Sequence, residues 1–188
     1  DYRGKTAHPY LHPRSGLVQI AIKKPSGEVM LYEPVVEHCV APDFRKLSEG
    51  EAIEDSAYIG FGKDGFTFGS PGNYRIRALY HAIDGSSVLS NELSLRVRHP
   101  VTANEEDMAD LMMGGDEQGT LLALLGSDAE TLARGNAAFD TVLEKYSTST
   151  MAQYVRLMKG VNASRDFKTI RPAIVADDRD RMTVRRRD

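Results

Sequence analysis

The chain has 188 residues, of which 41% are hydrophobic and 27% charged, a composition that supports a packed core and disfavours a disordered chain. Its single cysteine excludes an internal disulfide and a cysteine-based zinc site. No apolar run approaches the ~18 residues of a membrane span, so we predict no membrane insertion. The chain begins at Asp1 rather than Met, which leads us to expect a piece of a longer protein.

The net charge of −3 is distributed unevenly along the chain. Residues 1–100 hold 12 basic and 12 acidic residues, residues 101–170 hold 6 and 11, and residues 171–188 hold 6 and 4. No segment is basic enough to predict a nucleic-acid partner. The shifts in charge indicate three parts with these boundaries: a strand domain, an acidic helical part and a charged tail.

Residues 1–100 show the period-2 alternation of half-buried strands. Strands are predicted, in chain order, at residues 18–23, 29–32, 57–59, 74–80 and 93–97. Residues rich in Pro, Gly, Asn, Asp and Ser separate them, at 24–27, 70–73 and 84–87. Short strands with turns at this spacing predict an all-β sandwich.

The segment from Pro71 to Ala78 resembles the "PG-x-Y-x-(V/I)-x-A" strand entry of bacterial immunoglobulin-like and fibronectin-type-III-like modules. Residues 90–97 are similar to the last strand of those modules, and the resemblance covers about residues 15–99. It implies an immunoglobulin-like sandwich in which the Tyr74 hydroxyl bonds back to the preceding connection. Because the sequence shows five or six strands rather than the usual seven, we expect a further N-terminal strand upstream.

From Thr102 onward the apolar residues follow a helical period instead. Capping boxes at residues 102–105 and 127–130 predict two helix starts, and glycines at 114–115 and 126 predict helix ends. Two further stripes predict a helical hairpin over residues 132–146 and 151–161.

This hairpin resembles a tetratricopeptide-type unit, in which a small residue such as Ala152 lets two helices approach each other. One hairpin with a leading pair of helices is fewer repeats than a solenoid needs. We therefore expect a small helical bundle over residues 101–170, appended to the sandwich. Arginines and aspartates alternate in the tail, residues 171–188, which is predicted to be mobile or docked on a partner.

Motifs for catalysis or cofactor binding are weak. Gly60–Gly65 matches the G-x-G-x-x-G of dinucleotide sites, but strand formers and breakers follow it instead of a helix, which favours a loop. His8 and His12 have the spacing of metal ligands, but prolines break a helix there. His38 and Cys39 are adjacent and face opposite ways in a strand, so Cys39 is interpreted as a small buried hydrophobe. We predict no cofactor, no metal and no catalytic cluster.

The candidate docking surface consists of four arginines on two neighbouring predicted strands: Arg75, Arg77, Arg96 and Arg98. If these strands pair, the four guanidinium groups share one outward face that attracts an anionic or acidic protein partner. The alternative, which we favour, is a solvated face neutralised by Glu92 or by the acidic helices at 105–117.

The sequence favours a non-catalytic binding or spacer module of a larger bacterial, extracytoplasmic protein. Its partner would be another protein or other domains of its own parent chain. The alternative is an accessory domain that positions substrate for a secreted hydrolase, a peptidase or glycosidase. Sugar-binding sandwiches expose Trp or Tyr, whereas this chain has no Trp and Tyr58, Tyr74 and Tyr80 are predicted in the core. The oligomeric state stays open.

Overall fold

The computed structural model describes residues 6–7, 10–37, 45–82, 85–165, 169–171 and 183–185. The chain divides into two compact units, Asp1–Glu106 and Asp107–Asp188. Antiparallel strands dominate the first unit and helices the second, so the fold combines antiparallel β-sheet with α-helix.

The strands of the first unit are β1 (Thr6–Ala7), β2 (Val18–Lys23), β3 (Val29–Leu31), β4 (Arg45–Lys46), β5 (Phe61–Gly62), β6 (Gly65–Phe66), β7 (Gly72–His81), β8 (Ser87–Leu89) and β9 (Leu93–Val97). In the main sheet β3, β2 and β7 are consecutive neighbours, and β8 and β9 follow one another along the outer edge of β7. Every pairing is antiparallel, and β1–β4 and β5–β6 form two separate pairs. The predicted strands at 18–23, 29–32, 74–80 and 93–97 are thus confirmed to within a few residues.

The strand predicted at residues 57–59 is wrong, because these residues form a loop without strand pairing. Ile59 packs against the core of the sheet, and the Tyr58 carbonyl accepts a hydrogen bond from the Tyr32 hydroxyl at 3.2 Å. The Tyr32 side chain therefore fixes the position of this loop, which has no backbone pairing with a neighbouring strand. The turn predicted at 84–87 lies partly outside the described residues; across it the Ala82 N–H donates to the Ser86 carbonyl at 2.8 Å.

The core of the first unit lies on one face of the main sheet. Alternation in β2 and β7 buries Ile22, Tyr74 and Ile76 there, and Tyr32 joins them from the residue after β3. Tyr74 is 1% exposed, and its hydroxyl donates to the Ser70 carbonyl at 2.7 Å. The hydrogen bond expected from Tyr74 to the preceding connection is therefore confirmed.

Four described helices follow: α1 (Ala103–Met113), α2 (Asp116–Leu124), α3 (Ala133–Lys145) and α4 (Thr150–Ala163). The first predicted start is confirmed, since the Thr102 hydroxyl accepts from the Glu105 N–H at 3.2 Å. The start predicted at 127–130 is displaced, because a short 3₁₀ turn, Glu130–Leu132, comes before α3.

Helix α3 takes its N-terminal cap from another helix. The Glu117 carboxylate in α2 accepts from the Gly135 N–H at 3.0 Å and from the Arg134 Nε–H at 2.8 Å. The hydrogen bond from Gly135 lowers the pKa of Glu117, with a further contribution from Arg134. Gly135 also permits close approach of the two helices, since a Cβ there would lie 2.8 Å from the Leu121 Cδ1 atom.

The helices are not the small appended bundle that the sequence led us to expect. Most of their residues belong to the second compact unit, and their apolar side chains converge on a core separate from that of the sheet. Each of the four helices contributes to this core, whose buried members are Met112, Leu121, Phe139, Val142, Ala152, Val155 and Met158. The physical reason is that buried side chains from all four helices pack against one another, which gives the second unit a core of its own.

At its C-terminal end the second unit contains two short strands, β10 (Thr169–Arg171) and β11 (Thr183–Arg185), which pair antiparallel. They include part of the predicted charged tail, and its residues 172–182 lie outside the described residues. None of the described helices is both long enough and apolar enough to span a lipid bilayer.

Candidate functional site: the β9 edge of the main sheet

Three of the four candidate arginines share one face of the main sheet. Arg75 and Arg77 are alternate residues of β7, and the register between β7 and β9 sets Ser94 opposite Arg75 and Arg96 opposite Asn73. Directly opposed residues in an antiparallel pair lie on the same face, so Arg96 joins this face. Arg98 follows immediately after β9.

One carboxylate is shared between two of these guanidinium groups. The Glu92 Oε1 atom lies 3.1 Å from the Arg75 Nη1 atom, and its Oε2 atom lies 3.7 Å from the Arg77 Nε atom. All three side chains keep substantial solvent exposure, so the pairs contribute little to stability. One negative charge against two positive charges leaves this part of the face cationic.

Arg98 forms an ion pair with Glu105 in the first turn of α1. Its guanidinium forms two hydrogen bonds of 2.8 Å to the Glu105 carboxylate, which also accepts from the Val101 N–H at 2.7 Å. The bonds from Arg98 and from the Val101 N–H lower the pKa of Glu105 to about 2. The two expected counter-charges, Glu92 and the acidic start of α1, thus form ion pairs with three of the four arginines, although Glu92 is shared between two of them.

Arg96 differs from the other three arginines. Within the described part of the chain, neither a carboxylate nor a side-chain hydrogen-bond partner contacts its guanidinium. The side chain lines an open groove of about 450 Å³ at the end of the sheet. The groove is lined by Pro71, Gly72, Asn73, Arg96, Val97, Arg98 and His99. Asn73 and His99 carry N–H groups that can donate hydrogen bonds to an anionic group bound beside Arg96.

Apolar side chains are exposed on the other face of the same strand. Leu93 and Leu95 are 60% and 37% exposed. The register sets them opposite Ile76 and Tyr74, on the face that buries the core. The alternation predicts that both leucines lie on the core face, as they do, but the side chains that cover the core leave these two exposed.

A β-bulge determines which side chains of β9 lie on the core face. Leu89 in β8 opposes Leu79, whereas Leu93 in β9 opposes Ile76, so the three residues 90–92 face only two residues of β7. Ser90 stabilises the irregular segment, because its hydroxyl accepts from the Ala78 N–H at 2.9 Å.

Among the described residues, the remaining candidate motifs do not form a site. The glycine-rich segment 60–65 contains the β5–β6 pair, with Gly65 at φ 88°. A nucleotide site requires a helix directly after the glycines, and none follows here. The His12 Nδ1 atom accepts from the Arg14 N–H at 3.2 Å in a local turn. Across the described residues, no three His, Cys, Asp or Glu side chains are grouped to hold a metal ion. His8, His38 and Cys39 lie outside the described residues.

Comparison of the chain with protein-family models, with curated proteins and with solved structures finds no match. The chain combines an antiparallel sheet, whose edge strand carries exposed leucines and an unneutralised arginine, with a helical unit that has its own core.

Proposed function

We propose that this chain is a non-catalytic protein-binding module of a larger bacterial, extracytoplasmic protein. The sheet unit is proposed to be an immunoglobulin-like sandwich module, and β9 is its binding edge. The helical unit is proposed to belong to the tetratricopeptide-like class of helical hairpins. The bacterial and extracytoplasmic setting comes from the resemblance of residues 15–99 to modules of such proteins.

The observation that carries the binding function is the exposure of Leu93 and Leu95. These leucines continue the apolar face of the core onto an outer strand, and Val88 in β8 adds a third exposed apolar residue on that face. Contiguous apolar residues that remain exposed at a sheet edge are typical of protein interaction sites. Arg96 on the opposite face of the strand adds polar specificity.

Two further observations support the proposed module classes. The Tyr74–Ser70 hydrogen bond is the contact that characterises the tyrosine corner of immunoglobulin-like sandwiches. In the helical unit, α3 and α4 are joined by four residues and pack together, and Ala152 is fully buried in their shared core. A small residue at such a contact allows close helix packing.

The function can be tested by site-specific photo-cross-linking of the full chain in its native cells. A photoreactive residue at Leu93 or Leu95 should give a discrete cross-linked protein, identified by mass spectrometry. Val29 on the opposite edge strand, β3, is 62% exposed and provides a matched control position. The identified protein, once purified, should bind the full chain and should bind the Leu93→Ser variant more weakly.

Identical products at Leu93, Leu95 and Val29 would contradict the proposal, as would the lack of any discrete product at the two leucines. A purified cross-linked protein that binds the Leu93→Ser chain unchanged would also contradict it, because the leucine would then lie outside the interface.

A further inference from the structure

Strand β9 is an edge strand whose outer side is available for pairing. Among the described residues it pairs with β7 alone, and residues 93–97 form no other backbone hydrogen bond. An edge strand of this kind presents a row of N–H and C=O groups to solvent. An extended peptide can complete these hydrogen bonds by adding itself as the next strand.

The side chains of β9 differ sharply between its two faces. Leu93 and Leu95 lie on the core face, whereas Ser94 and Arg96 lie on the face of Arg75 and Arg77. A strand that pairs with β9 places its own side chains alternately on these same faces. The favoured partner therefore has apolar residues at every second position and polar residues between them.

The charge of the polar face determines which polar residues fit. Arg75 and Arg77 share the single carboxylate of Glu92, and Arg96 has none among the described residues. Arg96 also lines the groove of about 450 Å³ together with Asn73 and His99. A carboxylate placed there gains charge-assisted hydrogen bonds from the guanidinium, whereas a cation is repelled.

We propose that β9 binds an extended segment of a partner protein as an added strand, and that this segment alternates apolar and acidic side chains. The apolar side chains cover Leu93 and Leu95, and an acidic side chain enters the groove and pairs with Arg96. The inference rests on the proposed protein-binding function and adds the chemistry of the partner and the geometry of its binding.

A second copy of this chain fits β9 less well than an acidic strand. Pairing β9 with its own copy so that the leucines share a face also brings the two arginine faces together. Because Arg96 lacks a carboxylate in each copy, that arrangement accumulates positive charge instead of neutralising it. Charge complementarity thus favours an acidic partner strand.

The test uses the full ¹⁵N-labelled chain and a terminally blocked peptide of about seven residues that alternates valine and glutamate, a length that covers β9. We expect changes in the backbone amide shifts of residues 93–97. The Arg96→Glu variant should bind this peptide at least about tenfold more weakly, because one charge-assisted pair is replaced by a repulsive one. The same variant should gain affinity for a valine–lysine peptide.

Two controls separate strand addition from general charge attraction. Arg156→Gln removes an exposed arginine from α4 and should leave the affinity for the valine–glutamate peptide unchanged. A valine–glutamate peptide with N-methylated backbone cannot donate ladder hydrogen bonds and should lose binding. Unchanged amide shifts in β2 and β3, which belong to the same unit as Arg96 but do not border β9, will show that Arg96→Glu remains folded.

Equal affinity for the glutamate and lysine peptides would overturn the proposal, as would binding that survives N-methylation. The lack of shifts at residues 93–97 would overturn it too, including the case in which the chain pairs with its own copy there. If cross-linking at Leu93 or Leu95 identifies a partner but these peptide results fail, the binding function stands and the strand-addition geometry is rejected.

Discussion

The two units of this molecule differ in the side chains that form and cover their cores. In the helical unit, seven buried side chains from four helices meet in one cluster, and the members Phe139, Val142 and Val155 are fully buried. In the sheet unit, four buried residues lie on a single sheet face, and two of them are tyrosines. Each tyrosine hydroxyl lies within hydrogen-bonding distance of a loop carbonyl, Tyr32 of Tyr58 at 3.2 Å and Tyr74 of Ser70 at 2.7 Å.

The contrast reflects what covers each apolar surface. Helices satisfy their own backbone hydrogen bonds, so they can cover one another with aliphatic side chains alone. Loops that cover a sheet bring carbonyl groups with them, and these groups need donors when they are buried. The tyrosines provide the donors. The loop cover leaves Leu93 and Leu95 exposed, at the edge that we propose as the binding site.

The largest expected effect concerns the helical core. Phe139→Ala removes a fully buried aromatic ring and should lower the free energy of unfolding of the helical unit by about 3–5 kcal/mol. Hydrogen exchange resolved along the chain should show lost protection in α1–α4 and retained protection in β2 and β7. Tyr154→Ala, at an exposed site on α4, is the matched control and should have little effect. An equal loss of protection in β2 and β7 would show that the two cores unfold together.

A smaller effect is expected where a tyrosine ties a loop to the sheet. Tyr74→Phe keeps the ring but removes the hydroxyl that donates to Ser70, so the Ser70 carbonyl loses its partner. The sheet unit should lose about 1 kcal/mol of stability, measured from the urea midpoint followed at β7 amides. Tyr154→Phe, on the exposed side of α4, serves as the control. An unchanged midpoint for Tyr74→Phe would show that the hydroxyl contributes nothing to the loop cover.

The smallest effect concerns the ion pair between Arg98 and Glu105. The pKa of Glu105 in the folded chain is about 2, below its ordinary value of 4.5, so the unfolded chain binds the proton more tightly. The stabilisation is therefore complete above pH 4.5 and is lost as the pH falls towards 2. Urea midpoints across this range should fall less steeply for Glu105→Gln than for the natural chain.

Glu106→Gln is the matched control for this pH experiment, because the neighbouring Glu106 side chain forms no ion pair with any described residue. It should reproduce the pH dependence of the natural chain. If Glu105→Gln also reproduces that dependence, then the Arg98–Glu105 pair does not stabilise the folded state relative to the unfolded chain.

Much of the secondary structure follows from local pattern. Alternation of apolar and polar residues predicts β2 and β7, and the Thr102 cap predicts the start of α1, because the causes lie within a few residues. The Tyr74 hydrogen bond reaches back only four residues, and it was predicted from a resemblance to immunoglobulin-like modules.

The errors occur where a distant contact replaces a local one. Residues 57–59 have strand-forming side chains, but a hydrogen bond from Tyr32 holds them as a loop. Helix α3 is capped by Glu117 from α2, so the serine at 127 does not mark its start. The separate helical core likewise depends on packing among all four helices, which sequence periodicity does not reveal.

The candidate site was predicted in part. The alternation of Arg75, Arg77 and Arg96 shows that they share a face, and Glu92 was foreseen as a counter-charge. What distinguishes Arg96 from the others is the three-dimensional placement of two glutamates, which no local pattern encodes. The exposure of Leu93 and Leu95 depends on how far the loop cover extends, which is a property of tertiary structure.

The bulge at residues 90–92 adds one residue to the outer strand and so shifts the register of β9 against β7 by one position. Removing one of its residues would rotate β9 by half a turn, so that Arg96 would face the core and Leu93 would join the arginines. The bulge, which comes directly before β9, also limits the regular edge to the five residues of β9, a length of about 17 Å. If β9 binds a strand as we propose, that strand forms few ladder hydrogen bonds, and we expect it to dissociate quickly.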